Sequence, residues 1–351
     1  DMLAFSVIEI IDSLIMLIIA VTLQYIPVDK LVFYGAAVSV IAILTFLMKW
    51  GWCRYAYKDY YITLKMNVNK LLLKQMLGFT GWNLFGALSL MARNQGIAVL
   101  FNLFLGTIAN AAYGIANQIN GALNNFSSTF QRAINPQLMK SEGMGNKERL
   151  HKISLISSKF SVLALCLISV PLIIEMDDIL QIWLRGDIPN STKELSCCVL
   201  VLSIVVQYSI GLMSAIQASG KIKTYQITIG LLTLVNIPIA YVILKLGYPI
   251  YYVTFGFIIV EIFALLVRIS FAKKQIGLSP IEYFNNVVRP TILIIIVSIL
   301  VCLVPYFVTN DIYVRLFTVG ITYGMTYLIM MWFVAFDKEH RKIILLKFKI
   351  K

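Results

Sequence analysis

The chain has 351 residues, of which 59% are apolar and only 13% charged, and its formal net charge is +13 at pH 7. A water-soluble domain carries about 45–50% apolar and about 25% charged residues, so this composition excludes a single aqueous core and calls for lipid as solvent. Backbone polar groups in hydrocarbon must be satisfied internally, which leaves helices or a closed barrel; the long apolar runs lack strand-like alternation, so an all-α integral membrane protein is expected.

In chain order, ten apolar runs are long enough to cross a bilayer, at roughly 3–24, 31–49, 79–104, 107–130, 154–174, 195–216, 224–245, 248–269, 290–309 and 313–335. The segment from Asp59 to Met76 reads as a helix on the membrane surface, with Lys70 and Lys74 one turn apart. The longest connection on the poorly charged side runs from Glu175 to Glu194, is acidic, and leaves no room for a catalytic domain. The chain begins at Asp1 and enters an apolar run without a basic flank or cleavage site, so a signal peptide does not fit and a preceding N-terminal portion is expected.

Lys and Arg divide unevenly between alternate connections: 23 fall on one side and 5 on the other. By the positive-inside rule the richer side is cytoplasmic, which puts both ends of this chain there. The basic residues therefore mark topology and contact with anionic lipid, with no stacking platform for nucleic acid. Aromatic residues gather at the ends of the runs, as from Lys49 to Tyr61 and from Tyr248 to Tyr252, where amphipathic rings favour the interface. Cys53, Cys166, Cys197, Cys198 and Cys302 lack metal-ligand spacing, and His151 and His340 lie in basic connections, so neither a metal centre nor an intramembrane histidine enzyme is expected.

Several polar residues stand out within the runs. Arg93 lies near the middle of its span, where a guanidinium costs at least about 2.5–3.5 kcal/mol unless it meets water or a partner. Asn94, Gln95, Asn117, Gln118, Asn120, Asn124 and Asn125 crowd two consecutive runs, with Gly114, Asn117 and Gly121 on one helical face. Amides both donate and accept, as sugar hydroxyls require, yet small and amide residues also join helices to each other. Glu9 and Asp12 share a face of the first run and Glu261 stands alone in the eighth, which makes all three candidates for a coupling proton or sodium ion, with interfacial solvation or a salt bridge to Arg93 as the other reading. Lys159 and Arg268 are close enough to a basic end to snorkel. Pro238, two residues after Asn236, is placed to bend the seventh run.

The stretch FTGWNLFGALSLMARNQGIAVLFNLFLGTIANAAYGIANQINGALNNF at 79–126 resembles the seventh and eighth helices of Wzx-type polysaccharide flippases. INPQLMKSEGMGNKERL at 134–150, ILQIWLRGDIPNSTKEL at 179–195 and IQASGKIKTYQITIGLLTLVNIPIAYVILKLGYP at 216–249 follow in the same order. That family belongs to the multidrug/oligosaccharidyl-lipid/polysaccharide exporter superfamily, together with the multidrug and toxin extrusion (MATE) antiporters and the lipid II flippases. The resemblance implies a MATE-like fold of two six-helix lobes around a cavity. Residues 1–52 would be the last two helices of the N-terminal lobe, 53–78 an amphipathic linker, 79–270 the complete C-terminal lobe, and 271–351 two extra helices with a basic tail; the first four helices would be missing. It further implies a flippase that carries undecaprenyl diphosphate-linked oligosaccharide across a bacterial inner membrane by alternating access. Arg93, Asn94, Asn117, Gln118, Asn120 and Asn124 would bind the headgroup, no cofactor would be needed, and polysaccharide polymerase machinery would be a neighbour. A cation-coupled multidrug antiporter of the same superfamily is the runner-up, and a membrane glycan polymerase or acyltransferase the third reading.

Overall fold

The computed structural model describes residues 2–23, 29–56, 69–185, 188–309 and 311–336. Among these, nine helices are long and apolar enough to cross a membrane, and no strand occurs. The chain divides into two compact units, 1–70 and 71–351.

The first unit is a pair of helices, α1 (Met2–Thr22) and α2 (Lys30–Ala56). Two polar links join them. Thr45 Oγ1 donates to Asp12 Oδ1 at 2.6 Å, and Lys49 Nζ lies 3.9 Å from Glu9 Oε1 while also covering the Phe5 ring.

All but the first residue of α3 (Lys70–Gly143) lies in the second unit; this run of 74 residues is really two helical arms. They meet at Gly106, whose φ of 77° and ψ of −172° only glycine adopts without strain. Across this break Phe101 and Tyr113 pack edge to face with ring centres 5.1 Å apart, and Ile97, Phe101, Ala112 and Ala116 share one buried cluster. The arms therefore fold back on each other, and the ten expected spans are all present as helices. The expected surface helix at 59–76 is different: residues 57–68 lie outside the described residues, and from Lys70 onward the chain is already in α3.

Beyond the apolar part α3 continues to Gly143, and α4 (Lys147–Ile174) begins after a short turn in which Gly145 has positive φ and Asn146 Oδ1 accepts from Arg149 N at 2.9 Å. The stretch between the expected runs 107–130 and 154–174 is thus mostly helix, because Leu138, Ser141 and Leu150 are fully buried and packing extends past the bilayer-length stretch. After α4 come α5 (Met176–Leu184), α6 (Thr192–Ala218), α7 (Lys223–Lys245) and α8 (Ile250–Ile276). The short α5 occupies the acidic connection and places Asp177 and Asp178 in its first turn, where the helix dipole favours negative charge. α7 runs unbroken through Pro238. α9 (Pro280–Tyr283) continues through a π turn into α10 (Arg289–Val308), and α11 (Ile312–Met330) ends in a second π turn.

α6 packs between α4 and α8, and α7 lies against α8. At the α4–α6 crossing Ser154 Oγ donates to Gly211 O at 2.9 Å and Gly211 N donates to Ser158 Oγ at 3.1 Å, a closeness that needs the missing side chain. α11 runs antiparallel along α4 through a ladder of polar links. Lys159 Nζ donates to Ala335 O at 2.8 Å, Tyr327 OH to Leu163 O at 2.9 Å and Tyr323 OH to Cys166 O at 3.0 Å. The ladder ends at Arg315, which pairs with Glu175 at 3.3 Å and with Asp178. Lys159 therefore does not snorkel: it is 9% exposed and reaches inward.

Glu175, at the foot of α4, is 3% exposed. Burial lifts its carboxyl above the ordinary carboxylate range, Arg315 opposes the rise and Asp178 adds to it. The folded state then holds this proton more tightly than the unfolded chain, so the Glu175 contribution to stability is greatest in acid and is lost as pH rises through the raised value. Thermal unfolding in detergent should show a melting temperature that falls as pH rises from the ordinary carboxylate range through that raised value, with a smaller fall in Glu175→Gln; an equal fall in both removes Glu175 as the cause.

Candidate functional site

Arg93 sits on the first arm of α3, and Asn120 on the second, at nearly equal distances from Gly106. With 1.5 Å of rise per residue both are about 20 Å along their arms from the break, well within the reach of a 30 Å hydrocarbon layer. The Arg93 guanidinium is half-buried and donates to Asn94 Oδ1 from Nη2 at 2.9 Å and from Nε at 3.1 Å. Tyr113 and Glu261 are near enough to act on it electrostatically. Among the described residues no carboxylate forms an ion pair with Arg93.

The amides separate into two groups. Asn117 and Gln118 are exposed, the Asn117 amide donates to Tyr113 O at 2.9 Å, and Gly114 and Gly121 on the same face have open space beside them. Asn120 and Asn124 turn instead to α6. Ser203 Oγ donates to Asn120 Oδ1 at 2.5 Å, Asn124 Nδ2 donates to Asn120 Oδ1 at 2.7 Å, and Gln207 Nε2 donates to Asn124 Oδ1 at 3.0 Å. Ser127 Oγ completes the chain with a bond to Gln207 Oε1 at 2.8 Å. This polar ladder joins the second arm of α3 to α6, the helix-joining role weighed for the amides, while Asn117 and Gln118 stay on an exposed face.

The three carboxylates fare differently. Glu9 and Asp12 lie in the first unit with Lys49 and Thr45 as partners. Glu261 does not stand alone: Arg268 Nη1 donates to its Oε1 at 2.5 Å and to Ser209 Oγ at 3.0 Å, and the Tyr225 phenol lies beside the same guanidinium. Nor does Arg268 snorkel, since its side chain is 7% exposed and that of Glu261 13%. A buried guanidinium without a counter-charge would be far more costly than this pair, which explains why Arg268 turns inward. The seven-residue spacing of Glu261 and Arg268, two turns along one helix face, is the signal by which sequence reasoning could have joined them.

No family model, no curated protein and no solved structure matches this chain. Its helices define the class: a multi-pass, all-α membrane protein with ionisable groups inside its spans.

Proposed function

We propose that the chain belongs to a flippase that moves a polyprenyl diphosphate-linked oligosaccharide across a bacterial inner membrane, with its basic side cytoplasmic. The observation that carries this reading is Arg93. Its charge lies well inside an apolar run, its hydrogen-bond partner Asn94 is neutral, and Glu261, a carboxylate that acts on it electrostatically, is already committed to Arg268. A planar donor fork of this kind suits the oxygens of a diphosphate. The open face of Gly114, Asn117, Gln118 and Gly121 supplies amides suited to sugar hydroxyls. Coupling to a proton or sodium gradient through Glu9, Asp12 or Glu261, and contact with polymerase machinery, belong to the same proposal.

The antiporter reading calls for cavity carboxylates that outweigh a central arginine; Arg93 argues against it, and Arg268 already neutralises Glu261. To test the proposal, the gene is deleted in its host, and wild-type and Arg93→Ala full-length genes are returned at equal expression. Lipid-linked oligosaccharide should accumulate in the deletion strain and be cleared by the wild type, but not by Arg93→Ala. Unchanged lipid intermediates together with lower tolerance of cationic drugs would replace the flippase by the antiporter.

A further inference from the structure

A second polar site lies at the opposite end of α4 from Glu175. There a half-open pocket of about 270 Å³ is lined by Glu148, His151, Lys152 and Lys159 from α4 and by Glu282 and Asn286 from α9 and the π turn after it. Positions 148, 152 and 159, with Leu155 and Ile156 between them, fall on one stripe of α4, so a single helix face supplies most of the lining. Lys159 forms the deep end and is 9% exposed, whereas Lys152, Glu148 and Glu282 are exposed at the rim. His151 Nε2 lies 2.5 Å from Ile276 O; a carbonyl can only accept, so Nε2 carries the hydrogen and the ring is held in place.

The pocket opens where two spans begin, at Lys147 and at Pro280, which is the level of lipid headgroups. Leu155 and Ile156 add an apolar wall between its charged groups. Among the described residues its lining charges are balanced, with two lysines opposing two carboxylates. A polyanionic headgroup would be repelled by Glu148 and Glu282, and a ligand with only positive charge by the lysines. A headgroup with one phosphate and one ammonium satisfies both sets, and a primary ammonium can donate hydrogen bonds to the carboxylates where a trimethylammonium cannot.

We propose that this pocket binds the phosphoethanolamine headgroup of a membrane phospholipid, its phosphate on Lys159 and Lys152 and its ammonium on Glu148 and Glu282. The proposal is independent of what the protein transports.

It is tested with the full-length protein in detergent, by native mass spectrometry with phosphatidylethanolamine, phosphatidylcholine or phosphatidylglycerol added in turn. One phosphatidylethanolamine should remain bound about tenfold more tightly than either of the others, and Lys152→Ala and Glu282→Gln should each remove most of that preference. Should Lys152→Ala fail to fold, Glu282→Gln, which changes only an exposed rim group, decides. Equal retention of the three lipids, a preference for phosphatidylglycerol, or a preference untouched by a well-folded variant would overturn the proposal. Displacement of the lipid by an equal concentration of soluble phosphoethanolamine would overturn the membrane-lipid assignment in favour of a free metabolite.

Discussion

Arg268→Met, made with Glu261 left in place, is expected to lower stability by roughly 3–5 kcal/mol, the usual cost of leaving one charge of a buried pair uncompensated. Glu261 is 13% exposed in its side chain and gains its counter-charge from Arg268 at 2.5 Å. The reverse single change, Glu261→Leu, should be similarly damaging, because Arg268 is deeper still and would keep only Ser209 and the neighbouring Tyr225. The double variant Arg268→Met/Glu261→Leu should recover most of the loss, since two apolar side chains of similar volume carry no desolvation penalty. Unfolding by detergent titration, followed by loss of helical circular dichroism, measures all three, and the coupling appears as non-additivity. A single variant as stable as the wild type, or a double variant showing the sum of the two losses, rejects the pair as a buried structural unit.

Gly211 should be the least replaceable glycine in the described helices. A methyl group there would fall inside contact distance of the Ser154 carbonyl oxygen and within 2.8 Å of Ser158 N, both backbone atoms that cannot swing away. Gly211→Ala must therefore push α6 from α4, breaking the two hydrogen bonds that Ser154 and Ser158 make to Gly211. Overpacking of this kind costs roughly 1–3 kcal/mol, and Gly211→Val should cost more. Gly324→Ala is the matched control, because nothing lies within 4 Å of the added atom; in a helix interior it should be neutral or stabilising by up to about 1 kcal/mol. Thermal unfolding in one detergent compares them, and equal melting temperatures for Gly211→Ala and Gly324→Ala would refute the close crossing.

The spans were legible because each demands a run of apolar residues whose length the bilayer sets. Even the tight reversal at Gly106 left its trace, as two adjoining runs with only 105 and 106 between them. The short α5 and the continuation of α3 and α4 past their apolar stretches were not legible, since those parts are held by packing of single residues such as Leu138, Leu150 and Leu180. For the candidate site, Arg93 could be read from its depth alone. Which amides face open space and which bridge helices could not, because Asn117 and Asn120 differ only by a rotation of the helix that α6 decides through Ser203 and Gln207.

By itself, then, the sequence determined the class of protein, the positions of the long apolar helices and the presence of charges that lipid does not tolerate, because hydropathy and length act on each segment separately. The tertiary structure decided which charge meets which. Glu261 was single in its span, Arg268 and Lys159 had an interface within reach, and Glu175 and Asp178 read only as part of an acidic connection, yet each is buried against a partner. The physical reason is that a buried charge is governed by what the neighbouring helix offers, a carboxylate, a carbonyl or a guanidinium, and that offer comes from residues as far along the chain as Ala335 is from Lys159.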